Sequence, residues 1–297
     1  MINIEYDYSI NKFTFSSSFD KEMLVDFIAI DLNTNLACAA WWTYFPPYGN
    51  GNFNLPTEYI NDLSGVEVNA YYNKELIHTS KHQWKKLDNR FKFVAPKEEL
   101  SFGSWYNLVC NDEYESQFSE NDVIYDLGAN FGVYTMWALY HNVKQVYAFE
   151  PTPKNVECLK ETFKFDNNVT IFDKAIGAKD EQVTFYITPH SVGNSIYVTS
   201  GTPIEVECIN LENFINQNNL LPPTIVKCDI EGSEYDFIES LTEDFFKTIH
   251  TFIIEFHHND NNKVWNLIKK LLNLEYNIQV AKNNKIDSEM STFIARK

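Results

Sequence analysis

Residues 123–132 read VIYDLGANFG, a short apolar run that ends in an aspartate and is followed by two glycines four positions apart. The first four residues have the composition of a buried strand, and Gly128 and Gly132 permit a tight turn into a helix. In an open parallel sheet, ligands bind at the carboxyl ends of the strands, near the point where the strand order reverses. We therefore expect this turn, together with the N–H groups of a helix that begins near Phe131, to bring the backbone close to a ligand.

From about residue 120 onward, short apolar runs alternate with segments of helical periodicity. The strand candidates are VIYD, VYAFE, VTIFD, TIVKCD and TFIIEFH, and helices such as NVECLKETFKF and SEYDFIESL separate them. This alternation indicates a parallel sheet with helices on both faces. Near the C-terminus, the segment Lys263–Leu272 predicts one more helix, and EYNIQVAK with STFIARK predicts a hairpin.

The first 104 residues have a different pattern. Alternating stretches such as INKFTFSSSF and VEVNAYYN are separated by turn clusters, FPPYGNGNFNLP and KLDNR. They predict a β-rich, sandwich-like domain over residues 1–104, before an α/β domain over residues 105–297. The aromatic residues of WWTYFPPYGN, with Trp84 and Trp105, suit either the core of such a domain or stacking platforms for sugar rings.

Composition excludes several classes of protein. The 24 basic and 41 acidic residues give a formal net charge of −17, which repels nucleic acid. The sequence contains no run of about 18 apolar residues that could span a membrane, and its start, MINIEYDYSI, lacks the features of a signal peptide. We expect a soluble cytoplasmic protein whose five scattered cysteines are reduced packing residues.

A second acidic residue indicates which ligand the turn binds. Glu150 ends the next strand candidate, VYAFE, 24 residues after Asp126, where its carboxylate can accept hydrogen bonds from both hydroxyls of a ribose. Gly128 and Gly132 lack the middle glycine of the GxGxxG pattern that cradles a pyrophosphate. This pattern argues against a dinucleotide and favours S-adenosylmethionine (SAM), whose cationic sulfonium suits an acidic pocket.

Residues 105–297 resemble the FkbM-type family of class I SAM-dependent methyltransferases. The resemblance is based on ordered motifs: DLGANFGVYT at 126–135, YAFEPTPKN at 147–155, DKAIG at 173–177, INLENFI at 209–215, VKCDIEGSEYDFI at 226–238 and FIIEFH at 252–257. It implies a Rossmann-like seven-stranded sheet with a terminal antiparallel hairpin, and methyl transfer to a hydroxyl, often on a sugar or a polyketide ring.

The resemblance also assigns roles to individual residues. It implies that the methionine end of SAM is lined by Asp126, Gly128, Asn130, Gly132 and Thr135, with Asp229 also in contact with the cofactor. Glu150 would hold the ribose, and Asp173 with Ala175 would flank the adenine. Asn194 and Ser195, in SVGNSIY, match the family's polar loop near the acceptor.

A second group of polar residues follows the next two strand candidates. KCDIEGSE places Lys227 and Asp229 at a strand end and Glu231 and Glu234 at the start of a helix, where Glu234 is interpreted as a capping residue. Glu255 and His257 end the neighbouring strand, two positions apart and therefore on one face.

These residues are candidates for acid–base or metal chemistry. Deprotonation of an acceptor hydroxyl needs a general base, for which His257, Asp229 and Glu231 are the candidates, and Lys227 could pair with the carboxylates or bind the acceptor. An alternative is that Asp229, Glu231, Glu255 and His257 hold a divalent cation, Mg²⁺ or Mn²⁺, that acidifies the hydroxyl.

The sequence thus predicts a SAM-dependent O-methyltransferase that acts on a saccharide or glycoconjugate. Two alternatives stay open. One is N- or C-methylation of another small molecule, although the NPPY-type tetrapeptide of N-methyltransferases is absent where CDIEG stands. The other is a glycan-binding module in which the methyltransferase fold is a non-catalytic scaffold.

Overall fold

A computed structural model describes most of the chain from residue 2 to residue 297. The described residues are 2–7, 12–17, 23–31, 37–45, 50–54, 65–72, 74–83, 114, 117–187, 201–257, 261–281 and 290–297. The chain separates into two compact units, one containing Met1–Phe93 and Leu100–Asn111 and the other containing Val94–Glu99 and Asp112–Lys297.

Every described element of the first unit is a β-strand, in agreement with the predicted β-rich domain. The strands are β1 (Ile2–Asp7), β2 (Lys12–Ser17), β3 (Met23–Asp31), β4 (Ala37–Phe45), β5 (Asn50–Asn54), β6 (Gly65–Tyr72) and β7 (Glu75–Gln83). They form two antiparallel sheets, of order β1-β2-β5 and β4-β3-β6-β7. Trp84, Trp105 and residues 46–49 lie outside the described residues, so carbohydrate contact by this unit stays a prediction.

The second unit is built on a seven-stranded sheet. Its strands are β8 (Val123–Leu127), β9 (Gln145–Phe149), β10 (Val169–Phe172), β14 (Ile225–Cys228), β15 (Thr251–His257), β16 (Asn277–Val280) and β17 (Met290–Arg296). The order is β10-β9-β8-β14-β15-β17-β16, with β17 antiparallel to both of its neighbours. This order, with the reversal between β8 and β14, confirms the predicted class I methyltransferase sheet and its terminal hairpin.

Helices connect these strands, and the sequence analysis predicts each of them except the helix at Leu211–Gln217. They are α1 (Val133–Tyr140), α2 (Pro153–Thr162), α3 (Leu211–Gln217), α4 (Glu234–Ser240) and α5 (Asn261–Asn273), with a short 3₁₀-helix at Phe245–Lys247. The helix after the glycine turn begins at Val133, two residues later than expected, because Gly132 is its N-cap in the left-handed conformation.

A three-stranded sheet follows β10, and the sequence analysis did not predict it. It consists of β11 (Ala175–Gly177), β12 (Glu181–Ile187) and β13 (Thr202–Asn210), with β13 parallel to β11 and antiparallel to β12. Its buried face contains Phe185, Val206 and Cys208. This small sheet supplies one wall of the cleft described below.

Aromatic and aliphatic side chains fill the core of the second unit. Tyr125, Phe149, Phe237, Phe252 and Phe256 are all fully buried, and each fully buried large side chain contributes roughly 1.5–3 kcal/mol relative to exposure. Among the cysteines whose side chains are described, Cys208 and Cys228 are buried and form no disulfide. No helix among the described residues is long and apolar enough to cross a bilayer.

Candidate active site

The turn after β8 is shaped by close contacts within the protein. Gly128 and Gly132 have φ angles of +73° and +85°, which side chains other than hydrogen rarely tolerate. A Cβ on Gly128 would lie 1.8 Å from the carbonyl oxygen of Asp229, and one on Gly132 would lie 2.6 Å from Leu159 Cδ2. The two glycines therefore let the end of β14 and helix α2 pack closely against the turn. Gly128 also lines the cleft, where its backbone can approach a ligand as the sequence predicts.

Glu150 follows β9 and is held by hydrogen bonds from three residues. The backbone N–H of Asn130 donates to Oε2 at 2.9 Å, while the N–H of Thr152 and Nδ2 of Asn155 donate to Oε1 at 2.9 and 3.2 Å. Burial raises the pKa of Glu150, and these hydrogen bonds oppose that effect. The side chain of Thr152 also hydrogen-bonds to Glu150, and acceptance of ribose hydroxyls by this carboxylate stays a prediction.

A buried lysine joins the ends of β8 and β14. Lys227 lies beside Asp126 in the parallel register, and its Nζ donates to the carbonyl oxygen of Gly128 at 2.8 Å. The same Nζ lies 3.3 Å from Asp229 Oδ2 and 3.7 Å from Asp126 Oδ1. Burial disfavours its charge, but Asp229 and Asp126 outweigh burial and raise the pKa of Lys227. Of the two roles predicted for Lys227, the structure displays the ion pairing with carboxylates.

Asp126 and Thr135 lie beneath the turn. The Thr135 hydroxyl donates to Asp126 Oδ2 at 2.7 Å, and both side chains are fully buried. Burial raises the pKa of Asp126, and the charge of Lys227 opposes this rise. These two residues therefore support the loop from below, whereas Gly128 and Asn130 contact the cleft directly.

A cleft of about 620 Å³, partly open to solvent, lies at the carboxyl ends of β8, β9 and β14. The residues that line it are Gly128, Asn130, Glu150, Pro151, Lys174, Ala175, Ile176, Phe185, Cys208, Asp229, Ile230, Glu231 and Ser233. Of the predicted cofactor contacts, Gly128, Asn130, Glu150, Ala175 and Asp229 are among them.

The predicted adenine contacts are divided. Ala175 is buried and lines the cleft, but Asp173 is exposed and is paired with Lys174 at 3.5 Å. Lys174, which the sequence analysis did not single out, lines the cleft instead of Asp173. Its Nζ lies 3.1 Å from Glu207 Oε2. Phe185 and Cys208, from the small sheet, add an apolar wall that the alternating pattern of β12 and β13 could have indicated. Asn194 and Ser195 lie outside the described residues.

His257 is surrounded by carboxylates beside this cleft. Its Nδ1 lies 3.1 Å from Glu234 Oε1, and its Nε2 lies 3.5 Å from Glu231 Oε2, 3.7 Å from Glu255 Oε1 and 4.0 Å from Asp229 Oδ1. The strand register explains this grouping: Cys228 pairs with Ile254, so Asp229 and Glu255 follow on neighbouring strands. The structure thus brings all the predicted catalytic residues into one cluster.

The cluster perturbs the ionisation of its members. Burial disfavours the charged imidazole, but the Glu234 hydrogen bond and the charges of Asp229 and Glu231 outweigh burial and raise the pKa of His257 to about 9. Burial and the charge of Asp229 raise the pKa of Glu231 to about 8. Perturbed groups at a cleft are a common property of active sites.

Three of the four residues predicted as metal ligands converge. Asp229, Glu231 and His257 each offer a ligand atom, and these atoms lie within 4.8 Å of one another. Glu255 lies next to this group through its contact with His257. The arrangement is compatible with a divalent cation, but the positive charge of His257 balances the same carboxylates without one.

The model of the Methyltransferase FkbM domain matches residues 126–281. The chain belongs to the FkbM methyltransferase family. Both groups of residues described above, the glycine turn with Glu150 and the cluster around His257, lie within the matched region of this FkbM methyltransferase. It is a SAM-dependent methyltransferase, and the cleft at the β8–β14 reversal is its candidate active site.

This FkbM methyltransferase has relatives of low identity. It is 22% identical over 167 residues to the hexuronic acid methyltransferase AglP of Haloferax volcanii, covering 56% of this chain and 68% of that protein. It is 22% identical over 163 residues to Methyltransferase 1 of Beauveria bassiana, covering 46% and 66%. Among solved structures, a precorrin-6y C5,15-methyltransferase from Geobacter metallireducens matches with a TM-score of 0.41 at 14% identity, covering 72% of this chain and all of that one.

Proposed function

We propose that this FkbM methyltransferase methylates a hydroxyl group of a saccharide or glycoconjugate. The observation that carries the proposal is the position of three side chains at the edge of the cleft. Asp229 and Glu231 line the cleft together with the turn after β8, and His257 contacts both carboxylates. An alcohol is a weak nucleophile until it loses its proton, so a base at this edge would activate the acceptor hydroxyl by accepting that proton. The relative named as a hexuronic acid methyltransferase supports a sugar as the acceptor.

The residues of the cleft fit SAM. When bound, SAM supplies the methyl group from its sulfonium. Gly128 and Asn130 would contact its methionine end, Glu150 would accept a ribose hydroxyl on Oε2, and Ala175 with Phe185 and Cys208 would enclose the adenine. Lys174 is neutralised by Glu207 and Asp173, so its charge does not oppose a cationic ligand in the cleft.

His257 is the preferred base, with Asp229 as the alternative. Because the pKa of His257 is about 9 in the free protein, its imidazole is mostly protonated at neutral pH and must lose that proton before it can accept one from the acceptor. Cationic SAM beside Asp229 would disfavour the imidazolium and lower this barrier. The chain's own contribution is otherwise to align the acceptor oxygen with the methyl group.

The proposed base is tested by the pH dependence of methyl transfer. Purified protein is incubated with radiolabelled SAM and a panel of neutral, amino and uronic saccharides, and product structure is determined by NMR. With His257 as base, kcat/KM should rise with pH to a plateau above about pH 9, and His257→Asn should lower turnover by roughly 10²-fold or more without weakening SAM binding.

Other outcomes would contradict the proposal. A methyl group found on nitrogen or carbon would rule out O-methylation by this site, and full turnover in both His257→Asn and Asp229→Asn would place the acceptor elsewhere. Loss of turnover on chelation, with recovery on addition of Mg²⁺ or Mn²⁺, would instead support the metal-dependent route through Asp229, Glu231 and His257.

A further inference from the structure

The hydrogen bond between His257 and Glu234 connects the candidate base to a fixed carboxylate. Glu234 is fully buried at the start of α4, and His257 ends β15. The 3.1 Å contact joins His257 Nδ1 to Glu234 Oε1. The sequence analysis interpreted Glu234 as a capping residue, and this contact shows that Glu234 also hydrogen-bonds to the candidate base.

The backbone of the preceding loop holds Glu234 in one position. The N–H of Ile230 donates to Oε1 at 3.1 Å, and the N–H of Gly232 donates to Oε1 and Oε2 at 3.1 and 3.0 Å. Gly232 has a φ of +110°, and Glu231 before it has a φ of +56°. The loop therefore adopts an unusual backbone conformation that directs its N–H groups at one buried carboxylate.

These contacts determine which nitrogen of His257 carries the proton. Glu234 Oε1 already faces two backbone N–H donors, so a proton on that oxygen would oppose them. If Nδ1 were also unprotonated, two acceptors would face each other at 3.1 Å within a buried site. On the other side, Nε2 lies 3.5 Å from Glu231, 3.7 Å from Glu255 and 4.0 Å from Asp229, all longer than the 3.1 Å contact at Nδ1. The neutral imidazole should therefore carry its proton on Nδ1, which leaves the Nε2 lone pair on the side of these three carboxylates.

We propose that Glu234 is a positioning residue that fixes the orientation and tautomer of His257, so that Nε2 is the atom that accepts the proton of the acceptor hydroxyl. This role is based on the proposed function, in which His257 is the base. Glu234 itself touches neither cofactor nor acceptor in this assignment. Its effect on turnover passes through the hydrogen bond to Nδ1.

The tautomer can be measured directly in the wild-type protein. Long-range ¹H–¹⁵N correlation spectra of the full chain, recorded above the His257 pKa of about 9, distinguish the two neutral tautomers, and a His257→Gln sample assigns the signals. We expect the Nδ1–H form. The Nε2–H form would overturn the proposal, whether or not the protein methylates any saccharide.

Variants then test whether the role acts through His257. Glu234→Gln keeps the shape and an oxygen that can accept the backbone N–H groups, but it removes the charged partner of Nδ1. We expect kcat to fall by at least about tenfold with unchanged SAM affinity. Glu239→Gln, an exposed position on the same helix, is the matched control and should behave like wild type.

A double-mutant cycle separates positioning from an independent structural effect. In the His257→Asn background, Glu234→Gln should cause no further loss of kcat, because the Nε2 atom that Glu234 orients is already absent. Additive losses, or wild-type kcat in Glu234→Gln alone, would overturn the proposal. If Glu234→Gln fails to fold, the wild-type tautomer decides the matter. If wild-type protein methylates no saccharide, the proposed function fails, and the tautomer still tests the positioning.

Discussion

At the scale of single residues, Gly128 is the most constrained position in the site. Gly128→Ala would place a Cβ 1.8 Å from a backbone carbonyl oxygen, and the strained φ adds to the cost. We expect a loss of stability of more than about 3 kcal/mol. Gly132→Ala is the control, since the atoms it meets are side-chain carbons that can move, and it should cost less. Thermal unfolding measures both, and equal losses would contradict this ranking.

His257 gives a second prediction at this scale, a dependence of stability on pH. Its pKa is raised from 6.5 to about 9 in the folded protein, so the folded state binds the proton more tightly than the unfolded state. The stabilisation is therefore fully present below about pH 6.5 and is lost as the pH rises through about 9. The raised pKa of Glu231, about 8, acts in the same direction.

The measurement is the melting temperature between pH 6 and pH 10. We expect it to fall less steeply with pH in His257→Gln and in Glu231→Gln than in wild type, while Glu239→Gln should follow the wild-type curve. Identical slopes in all four proteins would show that the cluster does not hold extra protons in the folded state.

At the scale of elements, the amino ends of three neighbouring parallel strands are joined far from the cleft. The Thr224 hydroxyl before β14 donates to Asp122 Oδ1 at 2.8 Å and accepts from the N–H of Val123 at 3.0 Å. His250, before β15, contacts the same Asp122 oxygen at 2.9 Å. We expect Thr224→Val to cost about 1–3 kcal/mol in urea unfolding without changing SAM affinity in calorimetry. Weaker SAM binding at unchanged stability would contradict the view that the amino ends of the strands stabilise the fold while their carboxyl ends bind SAM.

The elements also show why one part of the fold was predicted and another was missed. Each central strand is a continuous apolar run because both faces of a parallel sheet are covered, and VIYDL and TFIIEFH therefore stand out. Strands β12 and β13 carry polar residues at their exposed positions and therefore lack a continuous apolar run, and the sequence analysis did not assign them. In the same way, the contact between His257 and Glu234, 23 residues apart, depends on how α4 packs against β15. Sequence periodicity does not predict the packing of a helix on a strand.

At the scale of the whole molecule, the second unit contains the complete sheet, its helices and every described residue of the cleft. A fragment comprising residues 94–297 should therefore fold cooperatively and bind SAM with an affinity within a few-fold of the full chain. Circular dichroism and calorimetry check both points. A fragment that does not fold would show that the two units depend on one another for stability.

The same fragment tests what the first unit contributes to the acceptor. If the first unit contacts the saccharide, the fragment should keep its SAM affinity but have a raised KM for saccharide, because binding energy remote from the reacting atoms is lost. A short acceptor that fills only the cleft should be affected less than a longer glycan, which gives an internal control. Equal kcat/KM for short and long acceptors in the fragment and the full chain would contradict a role of the β-rich unit in acceptor binding.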